Sequence, residues 1–231
     1  MSVYDRNQLD LYQMNLEGIT SVYSNQSSVH DDLKKLVEKH MGTAWQEPTP
    51  PHARDAAEKI ITRVKAHGGP LILDSFCGTG MSTVKLASLY PEALVIGIDK
   101  SADRLRRHMP TKSVNYQLIR GNCEHIWAQL VSAGISCAQH YLLYPNPWPK
   151  KTHIKRRIHG HPSFPLLKQL GGSVELRSNW KIYVDEFAIA SRLIGLDARV
   201  ESLSATEPMT LFERKYTANN ENLWMCRAAA V

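Results

Sequence analysis

Acidic residues are missing from one long stretch of this chain. Between His125 and Val174 there is no Asp or Glu, while Lys150, Lys151, Lys155, Arg156, Arg157 and Lys168 all fall inside it. These six cations equal the formal net charge of +6, so the rest of the 231 residues sums to zero. A local cationic surface on an otherwise balanced protein favours a polyanionic partner, because each neutralised phosphate releases condensed counterions. Nucleic acid is the leading candidate, and a solvated basic face is the bland alternative.

Other absences narrow the class. Cys77, Cys123, Cys137 and Cys226 show no C-x-x-C spacing, so neither a disulfide framework nor a zinc knuckle is indicated. His153, His159 and His161 have no carboxylate or thiolate close in sequence, so they read as a surface or RNA-facing cluster, with no metal expected. No run approaches the roughly 18 apolar residues of a membrane span, and residues 1–10 lack an apolar signal core, which makes a cytoplasmic protein the expectation. Prolines 145, 147 and 149 argue against an amphipathic membrane-surface helix beside the cations. The oligomeric state, monomer or homodimer, is left open.

What is present reads as one main domain. A helical pattern over 29–41 and the proline cluster at 48, 50 and 51 suggest an N-terminal helical extension over residues 1–51, followed by a domain over 52–231. Residues 53–67 read as an amphipathic helix ended by Gly68-Gly69-Pro70. From Leu71 strands and helices alternate, with strands expected at 71–74, 93–98, 115–119, 140–144 and 173–177. That alternation predicts a doubly wound, mostly parallel α/β sheet with helices on both faces. Segments 199–203, 210–216 and 223–228 read as strands without intervening helices, hence an antiparallel hairpin at one sheet edge.

Two stretches carry chemistry. Asp74-Ser75-Phe76-Cys77-Gly78-Thr79-Gly80 leaves the first strand as a glycine loop, and Asp99 ends the second strand 25 residues later. In a doubly wound sheet both lie at carboxyl strand ends, where ligands bind and an acid can accept ribose hydroxyls. A dinucleotide fingerprint would want a third glycine where this chain has Thr83, and Asp74 suits an ammonium or sulfonium better than a diphosphate. The set resembles the S-adenosylmethionine site of class I methyltransferases. The resemblance implies S-adenosyl-L-methionine as cofactor, held around Asp74, Phe76, Gly78, Gly80, Asp99, Lys100, Asn122, Cys123 and Glu124. Helix capping and dipole complementarity are the alternative for Asn122 and Glu124.

The second stretch is Tyr144-Pro-Asn-Pro-Trp-Pro-Lys-Lys-Thr-His-Ile-Lys-Arg-Arg157, in which five of the eight residues after Pro149 are Lys or Arg. It is similar to the P-D-P-W-x-K-x-x-H-x-K-R-R signature of bacterial TrmB-like tRNA (guanine-N7) methyltransferases. Ser178-Asn179-Trp180 lies where that family has T-D-W, and Thr210-Leu-Phe-Glu213-Arg-Lys matches its T-x-F-E-x-K. The resemblance, over roughly Leu71 to Arg227, implies a seven-stranded class I methyltransferase fold acting on a variable-loop guanine of tRNA. It assigns Asn146 and Asn179 to the target pocket, with Thr210 and Glu213 facing cofactor and base. Trp148 is either a stacking surface or a core aromatic. Lys150, Lys151, His153, Lys155, Arg156 and Arg157 would bind the RNA, the Lys and Arg side chains through phosphates.

The chain departs from the signature at both pocket carboxylates. Asn146 and Asn179 stand where the family has Asp, which removes two negative charges from the surroundings of a developing purine cation and should weaken catalysis on guanine. Asn146-Pro147-Trp148 alternatively resembles an amino-methyltransferase site acting on an exocyclic amine. A cofactor-binding, RNA-binding partner with little catalysis is the third possibility.

Overall fold

The computed structural model describes residues 24–204 and 206–230. Residues 1–23 of the expected N-terminal helical extension lie outside them. Parallel strands β1 (Leu71–Ser75), β2 (Leu94–Asp99), β3 (Tyr116–Arg120), β4 (Gln139–Leu143) and β5 (Ser173–Ser178) are followed by antiparallel β6 (Asp197–Leu203) and β7 (Leu223–Ala229). The sheet order is β3-β2-β1-β4-β5-β7-β6. Every residue of β1 and β2 is buried, which is what unbroken apolar runs give when both faces of a sheet are covered.

Successive side chains of a strand point to opposite faces, so each apolar strand feeds two cores. Leu71 and Leu73 join one of them, together with helices α1 (Leu33–Met41), α2 (Pro51–His67), α5 (Cys123–Ser132) and α7 (Lys181–Leu193). Ile72 points the other way, to a smaller core with α3 (Met81–Leu89) and α8 (Leu211–Ala218). Short helices α4 (Ala102–Arg106) and α6 (Leu166–Gln169) complete the set among the described residues. Leu33 and Val37 of α1 are only 1% exposed, so α1 is packed into the main core.

The expectation that residues 210–216 form a strand is wrong. They begin α8, because Thr210 caps it: its Oγ1 accepts the Glu213 amide at 3.0 Å, the S/T-x-x-E capping arrangement. The aromatic residues of this segment pack instead of pairing as a strand, with Tyr216 buried in the smaller core and Phe212 against it. β6 and β7 still pair antiparallel at the sheet edge, with α8 between them in sequence and β7 inserted beside β5.

The basic stretch is also more structured than an extended loop. It forms two 3₁₀ turns, Lys151–Arg156 and Ile158–Gly160, secured from beneath by a buried ionic cluster. Arg157 and Glu186 are both fully buried and meet at 2.5 Å. The Glu186 carboxylate also accepts His159 Nε2 (2.9 Å), Gln26 Nε2 (2.6 Å) and the His30 amide (2.9 Å). Arg157 spends its other donors on Gln26 and on the carbonyls of Trp148 and Lys150, and its guanidinium lies 4.8 Å from the Trp180 ring centroid. Arg157 therefore does not contact phosphate, and His159 is not part of a surface cluster. Burial would raise the Glu186 pKa, but His159 and Arg157 outweigh it and hold the carboxyl down at about 2.

Removing one partner of such a pair strands a buried charge, so Arg157→Ala should lower stability by about 3 kcal/mol or more, whereas exposed Arg156→Ala should move it by less than about 0.5 kcal/mol. Denaturant unfolding checks both. A carboxyl depressed in the folded state contributes stability above its unfolded pKa near 4.5 and loses it as pH falls toward about 2. Glu186→Gln should flatten that part of the acid-unfolding curve.

Candidate active site

Between β1 and β4 the strand order reverses, and the connections leaving these strands diverge to open a cleft of about 860 Å³ at their carboxyl ends. Its walls come from five connections: those after β1 (Phe76–Thr79), β2 (Lys100), β3 (Gly121–Glu124), β4 (Tyr144–Pro149) and β5 (Ser178, Asn179). The start of α8 closes it with Thr210, Leu211 and Phe212. Phe76, Tyr144 and Trp148, all lining the cleft, have φ of 64°, 55° and 47°. Non-glycine residues in the left-handed region are strained, and strain of this kind gathers where a backbone must turn sharply at a site.

The glycine loop is tied to β2 from one side and to α3 from the other. Gly78 donates its amide to Asp99 Oδ2 at 3.0 Å and has a φ of 62°, which a Cβ would disfavour. Asp99 Oδ1 accepts the Ser101 amide (2.8 Å) and Arg104 Nη2 (3.0 Å), so this carboxylate is nearly fully buried and organises both connections. Asp74 lies deeper. It is fully buried under α3, whose Ser82 and Thr83 hydroxyls donate to Oδ2 at 2.7 and 2.6 Å, while Oδ1 has no partner. Burial pushes its carboxyl up to about 6, against the pull of those two hydroxyls.

Of the residues assigned to the cofactor, Phe76, Gly78, Lys100, Asn122, Cys123 and Glu124 line the cleft. Asp74, Gly80 and Asp99 stand behind this surface. Gly80 is the N-cap of α3 and is packed against Leu118 and His108. Asn122 does two things at once, lining the cleft and capping α5 through Oδ1, which accepts the His125 amide at 3.3 Å.

Asn146, Trp148, Arg156, Asn179 and Thr210 share the other half of the cleft. Arg156 is exposed, with its guanidinium 4.9 Å from the Trp148 ring centroid. Lys150 and Lys155 are exposed beside it, and Lys151 forms an exposed ion pair with Asp31 at 2.8 Å. His153 packs edge-on against Trp148.

Glu213 does not face the cleft. It is fully buried, accepts Tyr144 Oη (3.0 Å) and Arg177 Nη1 (2.9 Å), and takes the Met209 amide on its other oxygen. It clamps α8 to the ends of β4 and β5, so it shapes the cleft at one remove. Sequence reasoning passed over Arg104 and Arg107, which line the cleft although the basic run Arg104-Leu-Arg-Arg107 just after Asp99 was visible. It also missed Glu221, which accepts Asn179 Nδ2 at 2.8 Å.

This strand order with a cleft at the β1/β4 reversal defines the class I methyltransferase fold. Solved structures agree: an antibiotic-related methyltransferase superposes with a TM-score of 0.57 at 16% identity, covering 75% of this chain and 93% of that one. An aminoglycoside-resistance methyltransferase gives 0.54 at 17% identity, covering 81% and 95%. The chain belongs to the family described as "Putative methyltransferase", whose model matches residues 68–226. Among curated proteins it is 27% identical over 161 residues to a tRNA (guanine-N(7)-)-methyltransferase of Mycobacterium bovis, which takes in 63% of this chain and 61% of the relative. A protein of the same name from Thiobacillus denitrificans is 23% identical over 178 residues, 71% of this chain and 77% of the relative.

The Glu213 clamp gives a direct test. Glu213→Ala leaves the buried Tyr144 hydroxyl without its acceptor and Arg177 with one carboxylate instead of two. It should lower stability by about 2–3 kcal/mol, measured by denaturant unfolding. A surface-like loss below about 0.5 kcal/mol would contradict the assigned role.

Proposed function

We propose that this protein is a tRNA (guanine-N7) methyltransferase that uses S-adenosyl-L-methionine, with a variable-loop guanine as target. The observation that carries the reading is one cleft whose lining brings together the glycine loop, Asn122, the Pro-Asn-Pro-Trp turn, Asn179 and the exposed Arg156, with exposed Lys150 and Lys155 next to lining residues in sequence. The names of the curated relatives support it.

The residues present suit the cofactor. Asp74 holds an unpartnered, buried carboxylate oxygen beneath the loop, a local negative potential suited to a sulfonium or ammonium group. Nothing lies within 4 Å of where a Gly78 side chain would begin, so ligand can approach the backbone there. Asp99 accepts three bonds of the roughly four that a carboxylate can take, and Arg104, with a side chain 38% exposed, is the one side-chain donor among these three. When bound, S-adenosylmethionine supplies an electrophilic methyl group on sulfur.

The chemistry asks little of the protein beyond placement. Guanine N7 has a free lone pair at neutral pH, so no residue need remove a proton before the N7–carbon bond forms and the carbon–sulfur bond breaks. Holding nucleophile, methyl and sulfur in line supplies several kcal/mol of the acceleration. Trp148 offers a rigid aromatic surface to the base or its neighbour. The cations at the margin position the RNA through its phosphates without reading sequence. Lys100, Arg104 and Arg107 add positive charge on the opposite wall.

Incubating the protein with labelled S-adenosylmethionine and bulk tRNA, then identifying the nucleoside by mass, should give N7-methylguanosine. A methylated exocyclic amine, or cofactor binding without transfer, would overturn the reading. Arg156→Ala should flatten the salt dependence of tRNA binding by about one unit of slope. Because a cationic ligand favours ionised Asp74, cofactor affinity should rise as pH increases through about 6, and Asp74→Asn should abolish that rise. Calorimetric titration between pH 5 and 8 checks the sign.

A further inference from the structure

The two amides in the target half of the cleft are locked by partners that can play one role each. Asn146 Oδ1 accepts the Trp148 backbone amide at 3.1 Å, and an N–H can only donate, so the amide oxygen is committed to the turn and Nδ2 is left as the free group. Asn179 Nδ2 donates one of its two N–H groups to Glu221 Oε2 at 2.8 Å, and a carboxylate can only accept, so here the nitrogen is turned to Glu221 and Oδ1 is left without a partner among the described residues. Both residues line the same cleft and follow adjacent parallel strands, β4 and β5, which pair Leu143 with Arg177. The two amides are thereby oriented oppositely, with Asn146 Nδ2 and Asn179 Oδ1 left without partners among the described residues, where two carboxylates would have offered acceptors alone.

We infer that these two amides read the O6 and N1–H edge of the target guanine, Asn146 Nδ2 donating to O6 and Asn179 Oδ1 accepting N1–H, and that Glu221 is the positioning residue for Asn179. The assignment rests on the guanine-N7 reading and specifies how the base is held. On guanine, O6 is an acceptor and N1–H the adjacent donor, so a donor from the connection after β4 and an acceptor from the one after β5 match this edge without using the 2-amino group. N7 lies on the far side of O6 and stays available to the methyl group. Glu221 also returns a negative charge to the pocket: its carboxylate polarises the Asn179 amide, making Oδ1 a stronger acceptor for N1–H and placing the charge one group back from the base.

The test uses tRNA assembled with guanosine, inosine or 2-aminopurine riboside at the target position. Inosine keeps O6, N1–H and N7 and lacks the 2-amino group. 2-Aminopurine keeps N7 and the 2-amino group, lacks O6, and has an acceptor at N1. The wild-type protein should methylate the inosine tRNA within about threefold of guanosine and the 2-aminopurine tRNA at least about a hundredfold more slowly. An inosine rate that falls as far as the 2-aminopurine rate would overturn the assignment, because the pocket would then be reading the 2-amino group. Glu221→Gln frees the Asn179 amide to turn and offer Nδ2 to N1 of 2-aminopurine, so the guanosine to 2-aminopurine ratio should drop at least about tenfold. A purely structural Glu221 would lower both rates together and leave that ratio unchanged, which would remove its positioning role. Failure of the wild-type protein to methylate guanosine would remove the underlying reading and this assignment with it, whereas guanosine methylation with the wrong analogue ranking removes the assignment alone.

Discussion

The carboxylate of Glu186 sits where three separated pieces of chain meet: Gln26 and His30 before α1, Arg157 and His159 in the basic stretch, and α7 itself. Each piece alone would carry a buried polar group with no partner. Together they satisfy one another, and the geometry of the basic stretch follows, because Arg157 holds the Trp148 and Lys150 carbonyls from below. The Pro-Asn-Pro-Trp turn is thereby pinned at its far end, and Asn146 and Trp148 reach the cleft from a turn with little freedom. The price is a fully buried ion pair, which stabilises only while all its members are present.

This division of labour gives neighbouring residues opposite jobs. Arg156 and Arg157 are adjacent in sequence, yet one is exposed over the Trp148 ring and the other has no solvent-accessible surface. A similar split runs through the acids of the cleft. Asp99 and Glu213 organise backbone and helix ends, and Asp74 works from beneath the loop, so the surface that meets a ligand is lined largely by amides, backbone, aromatic rings and cations.

The alternation of apolar strands and amphipathic helices was legible because both faces of the sheet are covered, which leaves unbroken hydrophobic runs such as Leu71–Leu73 and Leu94–Ile96. The cleft was legible through residues whose position follows from topology: Gly78, Asn122, Asn146 and Asn179 each sit just past the end of a parallel strand. Burial of individual charges was not. A Lys/Arg run reads the same whether a member points outward or into a core, and the acid that decides the matter for Arg157 lies 29 residues away on the buried face of α7. The partnership of Asn179 with Glu221 spans 42 residues and has no local signal at all. For α8 the signal existed, since Thr210-x-x-Glu213 is a capping pattern, which the expectation of a strand over 210–216 left out.

Methyl transfer to guanine N7 in tRNA, the reaction proposed for this cleft, leaves a chemical mark that other base methylations do not. Reacted tRNA can be reduced with borohydride and treated with aniline, which cleaves the chain at N7-methylguanosine. The account predicts one new scission, at a guanosine of the variable loop, that depends on S-adenosylmethionine. Methyl incorporation without any new scission would contradict it.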